Sequence, residues 1–365
     1  MTDKVVLTGG DGFLGWHTRC ALLESGRESI HVPVGVLFNL ERALQATDGA
    51  SRFIHLAGVN RGPEQEVRSG NVMFAEQAAR VLREVERPPQ VVVYANSIQA
   101  GLDNTYGQAK VKAGAILAAA CADVGAQFVD LRFPNLFGEH GVPFYNSVTA
   151  TFCHILASGG TPEIQEDREL SLLHAQDAAD VLVGNCEADQ IEERATLQRV
   201  SELLERLTVM AELYQRGEIP DVCTSFARNL FNTYRSYVAA RRSTIQLQRS
   251  TDARGSFSEA VRSRGGGGQA SYSTTHPGVT RGNHFHRRKI ERFVVMAGHA
   301  KLMLRRCLTN ETVEYEVDGD HPVAVDMPTM WAHNITNIGT TPLYTAFWTN
   351  DLFNPACPDT IAEVV

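Results

Sequence analysis

The sequence predicts a parallel α/β domain followed by an all-β domain, in a chain of 365 residues that is long enough for both. Three observations carry this prediction. A glycine-rich stretch follows a short apolar strand near the start, strands alternate with helices through the first part of the chain, and short apolar segments separated by turn residues fill the region from about residue 251. We place the domain boundary so that the two predicted domains are 1–247 and 248–365.

The first domain is predicted from an alternation of two hydrophobic patterns. The apolar runs that predict strands are Val5–Thr8, Phe53–Leu56, Val91–Tyr94 and Gln127–Arg132. The helical patterns between them are His17–Ser25, Met73–Val85 and Tyr106–Asp123. Strands that alternate with helices form a parallel sheet covered on both faces, so we predict a Rossmann-type fold.

Two further regions follow. Residues 187–248 repeat apolar positions at helical spacing, which we interpret as helices at the edge of the first domain or between the domains. From about Thr251 the short segments ERFVVMAG, AKLMLRRC, ETVEYEV, PVAVD and LYTAFW are separated by Gly, Asp and Asn. Many short strands with turns between them are typical of a small barrel or jelly roll.

Composition narrows the class of protein. The chain is 43% hydrophobic and 21% charged, as soluble globular proteins are. Its net charge of −8 argues against nucleic acid as a partner, because phosphate binding needs an excess of Lys and Arg. We find no membrane span and no secretory signal. The seven cysteines include no CxxC pair, which favours reduced thiols in a cytoplasmic protein.

The glycine-rich stretch TGGDGFLG lies between the first strand and the first helix. In that context the glycines let the backbone approach a pyrophosphate, and the helix N-terminus offers free N–H groups. The alternative is a purely structural turn. We predict that a dinucleotide contacts this stretch through Thr8, Gly9, Gly12, Phe13, Leu14 and Gly15.

A reductase constellation follows in the order Ser97, Tyr106, Lys110. Tyr106 and Lys110 are four residues apart and share one face of the predicted helix. An ammonium group nearby is expected to lower the tyrosine pKa, so that Tyr106 exchanges a proton with a carbonyl oxygen while a nicotinamide carries hydride. Ser97 is expected to hydrogen-bond the same oxygen. The alternative is an exposed helical pair without function.

The sequence leaves the choice of nicotinamide cofactor open. NAD-binding domains carry an acidic residue at the end of the second strand, and NADP-binding domains carry a basic one. This chain has Val32-Pro33-Val34-Gly35 there, with neither.

A second site is predicted near the C-terminal end. The stretch from Gly278 to Gly298 has the spacing G-x5-H-x-H-x4-E-x6-G, which resembles the first cupin motif. Residues two apart on a strand share a face, so His284 and His286 can bind one ion together with Glu291. The segment PTMWAHNITN resembles the second cupin motif and offers His333, with Met330 where that motif usually has glycine. Imidazole and carboxylate ligands suit Zn, Fe, Mn or Ni.

The first domain resembles the extended short-chain dehydrogenase/reductase family. The segment HLAGVNR is similar to that family's stretch near the cofactor, which adds Leu56, Ala57, Gly58, Asn60 and Arg61, together with Lys110, to the predicted cofactor contacts. The segment RFPNLFG matches the family's R-x-x-N-x-x-G. Arg132 and Asn135 of this segment, together with Asn146 and His174 elsewhere in the chain, are weaker candidates for substrate contact; the alternative for each is structural hydrogen bonding.

Nearly the whole chain resembles the CapF family of bifunctional capsular polysaccharide synthesis enzymes, through YGQAK, YNSVTATFC, RGSFSE, PGVTRGNHFH and NDLFNPACPDT. The resemblance implies a zinc-bound cupin domain that epimerises C3 of a UDP-linked 4-keto-6-deoxy-N-acetylhexosamine. It implies a reductase domain that reduces the C4 ketone with NADPH, and a homodimer. Two alternatives stay open, namely a reductase for another sugar with a structural cupin, and a non-catalytic protein that senses a dinucleotide.

Overall fold

The computed structural model describes residues 3–239, 241 and 244–365. They form two compact units. The first covers residues up to Phe137, Gly141–Val148 and Arg168–Gln198, and the second covers Gly138–His140, Thr149–Asp167 and the residues from Arg199 onward. The first unit is α/β and the second contains two five-stranded antiparallel sheets and one two-stranded antiparallel sheet, which confirms the predicted pair of fold classes.

The elements of the first half of the chain are, in order, β1 (Lys4–Thr8), α1 (Phe13–Glu24), β2 (Glu28–Val32), a short 3-10 helix (Gly35–Leu37), α2 (Leu40–Thr47), β3 (Arg52–His55), α3 (Glu64–Glu84), β4 (Val91–Ser97), α4 (Thr105–Val124), β5 (Gln127–Phe133), β6 (Asn135–Phe137), α5 (Val148–Ala157), β7 (Glu169–His174), α6 (Ala175–Val183), α7 (Gln190–Arg194) and β8 (Thr196–Arg199). The predicted strands are all present. Helix α3 begins nine residues before the predicted Met73, because its first turn is polar and shows no apolar period.

The first unit is built on a parallel sheet with the strand order β2-β1-β3-β4-β5. The chain moves outward from β1 in both directions, so β1 and β3 flank the point where the strand order reverses. In open α/β sheets, ligands bind outside the carboxyl ends of the strands at such a point. The glycine-rich turn follows β1, and the segment LAG follows β3, so both lie at this position.

Alternate residues of the strands enter two different cores. On β1, Val5 and Leu7 pack with residues of α1 and α6, whereas Val6 packs with residues of α3 and α4. The two faces of the sheet are therefore both covered, as the alternation in the sequence predicts.

The remaining elements belong to the second unit and are, in order, α8 (Val200–Gln215), α9 (Ser225–Ala239), β9 (Ile245–Gln246), β10 (Arg249–Asp252), β11 (Gly255–Ser258), β12 (Gln269–Thr275), β13 (Thr280–Phe285), β14 (Glu291–Ala297), β15 (His299–Arg306), β16 (Thr312–Asp318), β17 (Val323–Met327), β18 (Trp331–Asn337), β19 (Leu343–Thr349) and β20 (Ile361–Ala362). One sheet has the order β12-β19-β14-β17-β9 and the other β16-β15-β18-β13-β20. Apolar side chains from both sheets form one core between them.

Helices α8 and α9 cover the outside of the first of these sheets. Tyr214 of α8 donates a hydrogen bond to Asp326 Oδ2 on β17 at 2.8 Å, and Asn232 of α9 donates to the carbonyl oxygen of Arg288 at 2.8 Å. These helices are therefore part of the second compact unit. The domain boundary between residues 247 and 248 remains a prediction.

All seven cysteines are free thiols. Within the described part of the chain, no helix combines the length and the apolar character that crossing a bilayer requires.

Candidate functional sites

The glycine-rich stretch forms a tight turn between β1 and α1. Gly9 has a φ of +71°, and a Cβ there would lie 2.7 Å from the backbone nitrogen of Ala57. A Cβ on Gly15 would lie 2.1 Å from the carbonyl oxygen of Gly9, so a side chain fits at neither position. Gly12 is the N-cap of α1. The turn therefore places backbone without side chains next to a helix N-terminus, which is the geometry that binding of a pyrophosphate requires.

The segment after β3 lies against this turn. Thr8 Oγ1 and His55 Nδ1 are 2.8 Å apart, and the backbone N–H of Ala57 donates to Thr8 Oγ1 at 3.4 Å. Burial, together with the charge of Lys110, lowers the pKa of His55 to about 3, so its imidazole is neutral. The structure therefore brings the predicted cofactor residues of the two segments together.

The other predicted cofactor residues have different environments. Phe13 and Leu14 begin α1, and Leu14 packs with Leu56 against the core behind the turn. A Cβ on Gly58 would lie 3.9 Å from Lys110 Nζ, so this glycine borders the reductase side chains. Asn60 is exposed.

Arg61 is exposed and is held by a loop of the same unit. Its Nη1 donates to the carbonyl oxygens of Phe144 and Tyr145. Both aromatic side chains of this loop are exposed, Phe144 at 64% and Tyr145 at 43%, and Tyr145 is near enough to affect the titration of Tyr106. This loop therefore lies near Tyr106, and it includes Asn146, which the sequence predicts to contact substrate.

The three predicted catalytic side chains are close together. Ser97 ends β4, and α4 begins at Thr105 after Asn104, whose side chain accepts from the Gly107 N–H. The Ser97 hydroxyl is hydrogen-bonded to Tyr106, and Lys110 Nζ lies 6.0 Å from the centre of the Tyr106 ring. The end of one strand and the first two turns of the next helix therefore supply the constellation.

The pKa values of this group differ from the expectation based on sequence. Burial raises the pKa of Tyr106 to about 12, although the hydrogen bond with Ser97 acts in the opposite direction. Burial lowers the pKa of Lys110 to about 8, and its Nζ donates to the carbonyl oxygen of Ala95 at 2.7 Å. The expected lowering of the Tyr106 pKa is therefore wrong, because desolvation dominates. The phenol is protonated at neutral pH.

The residues proposed to contact substrate do not form one cluster of contacts. Arg132 is exposed, with its Nε 4.0 Å from Asp130 Oδ2, and Asn146 is exposed. Asn135 donates to the carbonyl oxygen of Ser171 at 3.2 Å. His174 is buried, with its ring centre 5.1 Å from that of Phe137. Substrate contact stays a prediction for all four residues.

Charged groups do lie beside the glycine-rich turn, although none follows β2. Asp11 lies 3.1 Å from Arg19 Nη1 and 3.0 Å from His31 Nδ1. The His31 ring lies 3.2 Å from the position a Cβ on Gly10 would take. One acidic and two basic side chains therefore surround the turn, so the cofactor choice is not decided by the end of β2 alone.

The predicted metal ligands come together between the two sheets of the second unit. His284 is on β13, His286 follows that strand, Glu291 begins β14 and His333 is on β18. Their potential ligand atoms all lie within 4.8 Å of one another. Glu291 Oε2 lies 3.1 Å from His286 Nε2 and 3.1 Å from His333 Nε2. All four side chains of the predicted set therefore converge.

A backbone carbonyl group fixes each histidine ring. His284 is hydrogen-bonded to the backbone of Gly282. His286 Nδ1 lies 2.5 Å from the carbonyl oxygen of Asp359, and His333 Nδ1 lies 3.1 Å from that of Trp331. A carbonyl oxygen requires a proton on the nitrogen that faces it, so Nε2 of His286 and of His333 carries the free lone pair.

The charge state of these groups suits a divalent ion. Burial, with His333 and His286 close by, lowers the pKa of His284 to about 4, so this ring is neutral at pH 7. Burial opposes ionisation of Glu291, but the close approach of His286 and His333 outweighs burial and lowers the pKa of Glu291. Neutral imidazoles with one carboxylate fit Zn²⁺ and other borderline divalent ions.

Met330 has an unusual conformation beside this site. Its φ is +59°, in the left-handed region that favours glycine, and it is fully buried. Its N–H donates to the carbonyl oxygen of His286 at 2.7 Å, and its own carbonyl oxygen accepts from the Cys307 N–H at 3.0 Å. This backbone conformation explains why the second cupin motif usually has glycine at the position.

Asp359 is a residue that the sequence argument missed. It contacts the loop between His286 and Glu291, from a segment 73 residues further along the chain. No local spacing could have revealed a contact over that separation.

Comparisons with known proteins agree with this arrangement. Residues 250–361 match the family described as the polysaccharide biosynthesis C-terminal domain. The chain is 33% identical to a UDP-2-acetamido-2,6-beta-L-arabino-hexul-4-ose reductase of Pseudomonas aeruginosa, with 98% of each chain covered. Part of it, 31% of the chain, is 32% identical to the spore coat polysaccharide biosynthesis protein SpsL of Bacillus subtilis, of which 82% is covered.

A similar fold is known from a crystal structure. The capsular polysaccharide assembling protein CapF of Staphylococcus aureus superposes with a TM-score of 0.61 and 30% sequence identity, and the match covers 99% of this chain and 100% of that one.

Proposed function

This chain belongs to the family of CapF and the Pseudomonas reductase, and from that premise we propose that it is a bifunctional nucleotide-sugar enzyme. The cupin domain epimerises C3 of a UDP-linked 4-keto-6-deoxy-N-acetylhexosamine, and the α/β domain reduces the C4 ketone. The product is a UDP-N-acetyl-6-deoxy-L-hexosamine of the L-talosamine type, a precursor of N-acetyl-L-fucosamine for polysaccharide or natural-product biosynthesis. The name of the Pseudomonas relative, which describes a hexul-4-ose reductase, supports this choice of substrate.

The observation that carries the reduction is the hydrogen-bonded pair of Ser97 and Tyr106, with Lys110 one turn further along α4. A bound nicotinamide supplies hydride to the carbonyl carbon. Tyr106 gives its phenolic proton to the carbonyl oxygen, and its raised pKa keeps that proton available at neutral pH. Ser97 donates a hydrogen bond to the same oxygen and orients the ketone.

The convergence of His284, His286, Glu291 and His333 supports the epimerisation. The C4 ketone acidifies the hydrogen on C3, so removal of that proton and its return on the other face inverts C3. A divalent ion held by these four groups, zinc in our proposal, supplies Lewis-acid charge beside the carbonyl group. Both sites then act on the same ketone. The metal site uses the electron-withdrawing effect of the ketone on C3, and the reductase site reduces the ketone.

The resemblance to the family extends the proposal to NADPH as cofactor, a homodimer and a cytoplasmic location. NADH is the alternative cofactor, since Asp11 lies beside the glycine-rich turn together with Arg19 and His31. Initial rates with each reduced cofactor, at equal substrate concentration, decide between them.

The reductase assignment is tested with Tyr106→Phe, which removes the proton donor and keeps the ring. Loss of a general acid lowers rates by about 10²–10⁴-fold, so we expect kcat for the ketone to fall within that range while the dissociation constant of the cofactor is unchanged. Turnover equal to that of the wild type would refute the assignment of Tyr106 as proton donor, whereas a wild type that reduces no ketone would favour the dinucleotide-sensing alternative.

The epimerase assignment is tested separately, in deuterium oxide without reduced cofactor. We expect deuterium at C3 of the recovered 4-keto sugar, detected by NMR or mass spectrometry. If no deuterium enters at C3, the cupin domain has a structural role. NMR of the product formed with reduced cofactor then identifies the sugar.

A further inference from the structure

The loop between the metal ligands His286 and Glu291 has three successive backbone N–H groups that point at one side chain. The Asp359 carboxylate accepts from the N–H of Arg287 at 2.8 Å through Oδ1, and from those of Arg288 at 2.9 Å and Lys289 at 2.7 Å through Oδ2. Successive N–H groups that converge in this way form an anion-binding nest. Here the anion is a side chain of the same protein.

The backbone of the same residue holds a metal ligand. The carbonyl oxygen of Asp359 faces His286 Nδ1 at 2.5 Å, which places the proton on Nδ1. His286 Nε2 then points at Glu291 Oε2, 3.1 Å away. Asp359 therefore contacts the ligand loop through its side chain and its main chain at once.

The segment around Asp359 is fixed on both sides. Lys289 Nζ donates to the carbonyl oxygen of Pro358 at 2.8 Å and to Thr360 Oγ1 at 3.3 Å. Strand β20 pairs with β13, so that Ala362 lies opposite His284. Asp359 itself has a φ of +42°, a strained conformation for a residue other than glycine, which persists only where the surroundings enforce it.

From these contacts we propose that Asp359 is a positioning residue for the metal ligand His286. Its carboxylate sets the path of the loop 287–289, and its carbonyl oxygen then meets Nδ1 and directs Nε2 toward the ion. The proposal rests on the proposed function, since it assumes that the four ligands bind a divalent ion. Asp359 then determines metal affinity together with the four ligands, although it touches neither the substrate nor the ion.

The test measures binding of zinc alone to the full chain, by competition with a chromophoric chelator. Loss of an outer partner of a ligating histidine typically lowers metal affinity by about 10–100-fold, and we expect a loss in that range for Asp359→Ala. Asp359→Asn keeps one acceptor oxygen and tolerates the left-handed backbone, so we expect a smaller loss. If Asp359→Ala fails to fold, Asp359→Asn carries the test. Asp320→Ala, which removes a carboxylate 90% exposed in the same unit, is the matched control and should bind zinc as the wild type does.

Cobalt substitution separates positioning from a general effect on stability. With Co²⁺ at saturation, a reoriented His286 changes the visible absorption bands of the bound ion, whereas mere destabilisation leaves them as in the wild type. Zinc affinity of Asp359→Ala within about threefold of the wild type, or an unchanged cobalt spectrum, overturns the proposal. If the wild type binds no divalent ion, the proposed metal site fails, and that result is distinct from equal binding by wild type and variant.

Discussion

Lys110 is a buried amine whose charge is sensitive to pH near neutrality. Burial lowers its pKa to about 8, so the ammonium form is lost as pH rises through that value. We expect kcat/KM for ketone reduction to fall about tenfold for each pH unit above 8, since the ammonium stabilises the phenolate that Tyr106 becomes when it gives up its proton. A rate profile between about pH 6.5 and 9 measures this.

Two lysine variants on α4 test whether the pH dependence arises from Lys110. Lys110→Arg keeps its charge to higher pH, so the decline should move upward even if the absolute rate is lower. Lys112→Arg makes the same change on the exposed face of the helix and should leave the profile unchanged. A flat wild-type profile up to about pH 9 would contradict the role of the Lys110 charge.

At Met330, backbone strain lowers the stability of the fold, and packing of the buried side chain raises it. Glycine relieves about 1–2 kcal/mol of left-handed strain, whereas loss of a buried methionine side chain costs about 2–5 kcal/mol. We therefore expect Met330→Gly to lower the free energy of unfolding by about 1–3 kcal/mol, as measured by denaturation of the metal-free protein.

Leu308 is the comparison for that variant. It has a φ of +62° and is partly exposed, so Leu308→Gly relieves similar strain with less loss of packing. Its unfolding free energy should lie closer to that of the wild type than that of Met330→Gly. The reverse order would show that strain, and not burial, decides at Met330.

At the scale of elements, a buried ion pair joins two strands to the helices outside them. Arg292 of β14 is fully buried, and its Nε and Nη2 donate to the two oxygens of Asp326 on β17 at 2.6 and 2.9 Å. Arg292 Nη1 also donates to the carbonyl oxygen of Gly217, and Tyr214 of α8 donates to Asp326. Arg292 follows Glu291, so one strand offers a metal ligand inward and this anchor outward.

Breaking that pair should destabilise the second unit. Asp326→Ala leaves a buried guanidinium without its partner, which costs about 3–5 kcal/mol. We expect the unfolding transition of this unit to move to lower denaturant concentration by a corresponding amount. Glu84→Ala, which breaks an exposed pair with Arg80 on α3, should change stability by less than about 0.5 kcal/mol. Equal effects of the two variants would show that burial does not strengthen the pair.

Periodic elements were predictable from sequence, and distant contacts were not. The strands of the parallel sheet show unbroken apolar runs, and the cupin spacing indicated the four side chains that converge in the candidate metal site. The start of α3 was missed, because Glu64 and Glu66 stabilise its first turn through the helix dipole and not through apolar periodicity. The two-residue strand β9 pairs with β17 but is too short to show a pattern.

At the scale of the whole molecule, the two sets of functional residues belong to different compact units. Ser97, Tyr106 and Lys110 lie in the first, and the four predicted metal ligands lie in the second. We therefore expect removal of the metal by a chelator to abolish deuterium exchange at C3 and to leave reduction of a ketone already inverted at C3 at its normal rate. Loss of both activities on chelation, restored by zinc, would show that the two activities depend on one metal.

Two properties of the candidate sites depend on the folded molecule as a whole and could not be predicted from the sequence. The motifs gave each site its ligands or its proton donor, since short spacings encode which side chains share a face. The raised pKa of Tyr106 depends on how deeply β4 and α4 bury it, and the orientation of His286 depends on Asp359. Both properties arise from tertiary packing, which a linear pattern does not contain.

The contact between His286 and Asp359 also has a consequence for biosynthesis. A ribosome that has just added His286, directly after β13, must add 73 more residues before the partner of His286 exists. Contacts of such long separation form late, because the intervening loop must first be closed. The nascent chain therefore contains the predicted ligand His286 before the orientation of its ring is set, so we expect selective metal loading to follow translation of the barrel.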